Sequence, residues 1–142
     1  MTIVSAQTHL KAILDSLTGA GQTFSVAYDY PEPLPASFPA AVLFFASPSQ
    51  EETTTSNQNS MTQSWIIRCI FKAAWNSTSY TAMLTMVDTV LVKLRREANR
   101  TSGTIYDVVV APAIYVYYTD QTAGGMVVGD IYIDVKDLLS RT

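Results

Sequence analysis

Cysteine and histidine each occur once in this 142-residue chain, as Cys69 and His9. A single cysteine excludes an intramolecular disulfide and fits a reducing compartment. A single histidine means that any Ser-His-Asp or Cys-His catalytic arrangement has to use His9. That residue falls on the first predicted helix beside its apolar stripe, with no sequence cue for a neighbouring nucleophile. The two lie sixty positions apart, so neither a C-x-x-C nor an H-x-x-x-H metal spacing exists. Charge is also scarce, at 15 % of residues with a net −3, and no basic excess points to nucleic acid. No apolar run approaches the roughly 20 residues of a membrane-spanning helix. The N-terminal stretch has no basic leader before an apolar block, so it does not read as a secretory signal. Without one, Asn76-Ser-Thr and Asn99-Arg-Thr are chance matches to the glycosylation sequon.

What is abundant is apolar and aromatic character, at 48 % and 11 % of residues, with eight tyrosines. That supports one domain over residues 1–142 with a single core. Its organising element is a predicted helix over 79–100, with Tyr80, Met83, Leu84, Val87, Leu91, Leu94 and Ala98 on one stripe. Asn76, Ser77, Thr78 and Ser79 offer N-caps, and basic residues with Gly103 close the far end.

Ahead of it, Ile3, Ala6, Leu10, Ile13, Leu14 and Leu17 predict a shorter helix over 3–18, stopped by Gly19 and Gly21. The Gly19-Ala-Gly21-Gln-Thr run lacks the Lys-Ser/Thr of a phosphate loop. Alternation over 24–30 predicts a half-buried strand. Pro31, Pro33, Pro35 and Pro39 then favour an extended, polyproline-like arm. Residues 40–46 and 61–74 read as strands, the second with Trp65, Ile67, Cys69 and Phe71 on one face and Ile66, Arg68, Ile70 and Lys72 on the other. Between them, 47–60 is polar and unpatterned, predicting a mobile exposed loop or an extended hairpin tip. After the long helix come strands over 105–119, where Pro112 argues for a bulge or an edge, and 127–135, joined by a turn at 120–125. The fold class is therefore α+β: a mostly antiparallel sheet with one long helix and a short N-terminal helix packed on one face.

No enzyme motif emerges, so no catalytic, cofactor-binding or metal-binding residues are assigned. Cys69 reads as a buried, inert thiol. Asp130 and Asp134 share a strand face with Tyr132, a spacing open to cation binding or acid–base work but more simply a solvated face. Lys93, Arg95, Arg96 and Arg100 form the one basic cluster. It reads as a solvated helix end or as a subunit contact to carboxylates such as Glu51, Glu52 or Asp134 of a neighbour. A ligand pocket lined by Tyr115, Tyr117 and Tyr132 is a further alternative, and a small hydrolase or deaminase-like enzyme a weaker one.

The order of elements carries a resemblance. A short helix, a Tyr28-Asp-Tyr30-Pro-Glu-Pro33 lead-in to an apolar strand, a polar loop, a strand, one long helix and a terminal hairpin resemble the tail terminator (tail completion, head–tail joining) proteins of long-tailed bacteriophages. The resemblance spans roughly 3–137 and has no invariant motif. It implies a non-catalytic virion protein of the tail or neck, assembled in the bacterial cytoplasm, that closes into a homo-oligomeric, hexameric ring. That ring would cap the tail tube, end tube polymerisation and meet the head-completion or connector protein. DNA would pass through its lumen without specific binding, and no membrane or cofactor would be involved. On this reading Gln50, Glu51, Glu52, Thr55, Asn57 and Asn59 are partner-contact candidates. Arg95, Arg96, Arg100, Asp130 and Asp134 are intersubunit candidates. Another neck or tail-tube component of related fold is the nearest alternative.

Overall fold

The computed structural model describes residues 3–52, 59–97, 106–119 and 125–137. In chain order they form α1 (Ile3–Asp15), β1 (Val26–Tyr28), β2 (Ala40–Glu52), β3 (Asn59–Lys72), α2 (Ser77–Glu97), β4 (Tyr106–Thr119) and β5 (Met126–Asp137). The strands make one mixed sheet in the order β1-β2-β3-β5-β4. Only β1 and β2 run parallel; every other neighbouring pair is antiparallel. This is the α+β architecture expected from the patterning.

The sheet's two faces are set by the period-two alternation of its strands. Leu43, Ile67 and Ile131 share one register row and Trp65 and Ile133 another, and all of these point to the helix side. There they join Ala6, Leu10, Ile13 and Leu14 of α1 with Met83, Val87, Val90 and Leu94 of α2 in one buried cluster. Both helices therefore cover the same face. Gly129 lets α2 sit close to β5: a Cβ there would lie 2.7 Å from Met83 Sδ and 3.1 Å from Val87 Cγ2.

The α2 start is capped reciprocally. Asn76 Oδ1 accepts from the Ser79 amide at 2.9 Å, while Ser79 Oγ accepts from the Asn76 amide at 3.1 Å. The α2 stripe is rotated from expectation: Val90 is fully buried, whereas Tyr80 and Leu84 are exposed. Tyr80 instead joins Trp75 and Tyr118 in a group of exposed rings, with centroids 5.7 and 5.9 Å from the indole. Ala98 lies outside the described residues. The α1 helix ends at Asp15, short of residue 18, because Leu17 and Thr18 turn tighter, bonding back three residues to Leu14 and Asp15. Gly19 and Gly21 follow with positive φ.

Two strand expectations need correction. The alternation over 24–30 yields only a three-residue β1, since Phe24 is drawn into the core and the chain turns away at Asp29. Residues 47–52 and 59–60 are ladder, not loop: β2 pairs with β3 from Ala40↔Ile70 through Glu52↔Asn59. Polar composition did not prevent strand formation here, because the backbone ladder runs on past the apolar segment and the register shifts once, between Phe45 and Ser47. The hairpin-tip alternative thus describes this region, and residues 53–58 lie outside the described residues. In β4 the register shifts between Val110 and Ile114, around Pro112, and β4 is an edge strand.

Candidate functional site

Among the described residues, no helix covers the second face of the sheet. Val42, Ile70, Met126 and Val128 form a small apolar cluster there with Tyr28, Phe38, Phe44 and Tyr117. The proline arm, residues 29–39, helps to cover it. Alternate prolines deny the arm ladder pairing, so side chains hold it instead. Tyr28 Oη accepts from the Ala36 amide at 2.9 Å, Glu32 accepts from Leu34 N–H at 3.2 Å and from Tyr30 Oη at 2.8 Å, and Gln7 donates to the Asp29 carbonyl at 2.6 Å. The carboxylate of Glu32 holds the Tyr30 phenol above its ordinary pKa. At its apex Pro33 and Leu34 are exposed, Leu34 by 65 %.

Between arm and sheet lies a cavity of about 460 Å³, lined by Pro31, Glu32, Pro33, Phe44, Arg68 and Tyr117 among others. Its polar centre follows from register, because Arg68 and Asp130 are direct cross-strand partners on β3 and β5. Arg68 binds Asp130 in two places, Nε to Oδ1 at 2.8 Å and Nη2 to Oδ2 at 3.1 Å. Tyr117 Oη donates to Asp130 Oδ2 at 3.0 Å. The guanidinium also stands 4.5 Å from the Phe44 ring centre. The bond to Asp130 raises the Arg68 pKa despite partial burial. Burial, then the charge of Asp130, raises that of Tyr117. Arg68 and Tyr117 are thus both held in their protonated forms.

The expectation of a solvated face at Asp130 and Asp134 is therefore corrected at Asp130. Its side chain is 7 % exposed and engaged within the chain. Asp134 is half-buried and accepts from Ser64 Oγ at 2.9 Å. Of the intersubunit candidates, Arg95 is exposed on α2, Arg96 is next to it in the last turns, and Arg100 lies outside the described residues. Of the partner-contact candidates, Gln50, Glu51 and Glu52 are ladder residues of β2 opposite Met61, Ser60 and Asn59. Thr55 and Asn57 lie outside the described residues. Of the three tyrosines, Tyr117 lines this cavity, while Tyr115 and Tyr132 pack edge to face at 5.7 Å, with Tyr115 57 % exposed. Cys69 is fully buried, and burial pushes its thiol pKa far up. No group of three or more His, Cys, Asp or Glu suited to a metal occurs among the described residues. None of the described helices is long and apolar enough to cross a membrane.

Sequence reasoning missed the role of Arg68. The available signal was an arginine inside an otherwise apolar strand, which calls for a buried partner. Naming that partner required the β3–β5 register.

The sheet's edges complete the candidate interaction surface. On one side β1 pairs only with Ala40, Ala41 and Val42, so over residues 43–52 β2 has no strand beside it among the described residues. On the other, β4 has no outer neighbour among the described residues. These are unlike surfaces, each presenting main-chain donors and acceptors. No protein-family model matches the chain, and comparison with curated proteins finds no significant similarity.

Proposed function

We propose that this chain is a structural virion protein, the tail terminator of a long-tailed bacteriophage. It closes into a ring, caps the tail tube, ends tube polymerisation and offers a surface to the head-completion protein, with DNA passing through the lumen unread. The observation that supports this reading is the pair of unlike open edges on one long-stranded sheet. Strand directions alternate from β2 through β3 and β5 to β4, so that β4 runs opposite to β2 and to its parallel neighbour β1. A second copy in the same orientation therefore meets β4 with antiparallel polarity, and the sheet continues from copy to copy. Contacts between unlike surfaces generate rings when the rotation closes and filaments when it does not. The sixfold number comes from the family resemblance alone.

The test is solution mass by light scattering, followed by a capping assay on polymerising tail tubes. A discrete ring-sized species that shortens or arrests tubes supports the proposal. A chain that lengthens tubes is a tube component, the second reading that the same edges accommodate. A chain that stays monomeric both alone and on tubes sinks the ring. The cavity of about 460 Å³ favours a small-ligand binder as the remaining alternative.

A further inference from the structure

The proline arm lies over its own sheet, and the two enclose a site with its own chemistry. The cavity of about 460 Å³ has Pro31, Glu32 and Pro33 of the arm on one side and Arg68, Ile70 and Tyr117 of the sheet on another. That volume falls within the roughly 300–1,000 Å³ of small-molecule sites. Ile70, Met126 and Val128 are buried and give the lining an apolar floor. Small-molecule sites combine such a floor with a few convergent polar groups.

The two charged side chains of the lining differ in what they still offer. Arg68 spends Nε and one N–H of Nη2 on Asp130, as Tyr117 spends its hydroxyl, so the arginine's charge is balanced. Its Nη1 meets no acceptor among the described residues, which leaves hydrogen bonds to give and no net charge to attract an anion. Glu32 is the reverse. Its oxygens accept only from neutral donors, Leu34 N–H at 3.2 Å and Tyr30 Oη at 2.8 Å, and no cation pairs with it among the described residues. Each oxygen also retains a lone pair. Taken together with Asp130, the lining carries one excess negative charge. A half-buried carboxylate above an apolar floor suits a cation that brings its own apolar body, because burying that body offsets the desolvation of the two charges. We infer that the cavity is a binding site for a small organic ammonium with an apolar body and a neutral oxygen close to the charge, as in an α-amino acid amide. The ammonium pairs with Glu32, the oxygen accepts from Arg68 Nη1, and the apolar body covers Ile70, Met126 and Val128. The arm's own bonds hold Glu32 in place beforehand, so binding orders little additional chain. This inference does not rest on the ring reading; it specifies what the cavity takes whether or not copies close a ring.

Calorimetric titration of the intact chain with phenylalaninamide tests it. Saturable one-to-one binding is expected, with amide-resonance changes concentrated at the cavity lining. N-acetylphenylalaninamide keeps the ring and the carbonyl but lacks the charge, whereas phenethylamine keeps the ring and the charge but lacks the carbonyl. Each should bind about tenfold or more weakly than phenylalaninamide. Glu32→Gln should impose a loss of about the same size on phenylalaninamide itself. Tyr30→Phe removes a hydrogen bond from the same carboxylate but leaves its charge, and should bind as the wild type does. A loss in Tyr30→Phe as large as that in Glu32→Gln assigns the effect to the shape of the arm and overturns the ion pair. Phenylpropionate binding as tightly as phenylalaninamide, unchanged affinity in Glu32→Gln, or no saturable binding to the wild-type chain each overturns the inference. The ring is decided separately, by solution mass and tube capping, so either reading can fail without the other.

Discussion

Arg68 and Asp130 neutralise each other on the face of the sheet opposite α1 and α2. Replacing Arg68 with alanine leaves a buried carboxylate without its cation, and the expected loss is about 2 kcal/mol, moderated by the partial exposure of the guanidinium. The paired change Arg68→Met with Asp130→Leu should recover most of that loss, since two apolar side chains remove both desolvation penalties. Urea unfolding midpoints of the three variants check this. Cys69 and Tyr117 respond to alkali in the same direction. Burial raises both pKa values in the folded state, while the unfolded chain releases these protons near pH 8.5 and 10. Unfolding therefore becomes proton-releasing at high pH. The stabilisation is complete below about pH 8.5 and falls as pH rises towards the folded values. The urea midpoint should decline above about pH 9, with the first part of the decline absent in Cys69→Ala and the later part absent in Tyr117→Phe. Residue environments were legible where a strand's alternation settles them, as for Cys69 among Trp65, Ile67 and Phe71. They were not legible for Asp130, because four-residue spacing says nothing about which side chain lies across the sheet.

At the scale of elements, the approach of α2 to β5 depends on Gly129. Gly129→Ala places a methyl group against Met83 and Val87, and should destabilise the fold by about 1–3 kcal/mol. Combined with Met83→Ala the two losses should be less than additive, because the shortened side chain vacates the space the methyl needs. Thermal unfolding of the single and double variants measures that coupling. At the start of α2, Asn76→Ala removes half of the reciprocal cap and should cost about 1 kcal/mol. The helices, the faces of β3 and β5, the terminal hairpin and the break near Pro112 were readable because hydrophobic period and punctuation specify them locally. The continuation of β2 and β3 into residues 47–52 and 59–60 was not, since polar residues in a ladder carry no apolar alternation. The brevity of β1 was hidden for the opposite reason: its alternation is good, but Phe24 is claimed by the core.

For the whole molecule, assembly through strand edges predicts weak dependence on salt. Main-chain bonds and apolar contacts are little screened, so self-association should change by less than about threefold between low salt and roughly 0.5 M. An assembly held by Arg95, Arg96 and Arg100 against carboxylates would instead weaken steeply, and sedimentation at two ionic strengths separates the two. The strand order has one more effect, on how the chain reaches this state. The β2–β3 and β4–β5 ladders join neighbours in sequence, whereas β3 and β5 meet across the length of α2. The protein is two locally formed hairpins joined along a single long-range seam, and closing that seam carries the loop-closure entropy of everything between. Conservative truncations along the seam, such as Ile67→Val or Ile131→Val, should therefore slow folding itself. Equivalent changes in α1, which docks onto a seam already closed, should leave the folding rate nearly unchanged and show up as faster unfolding.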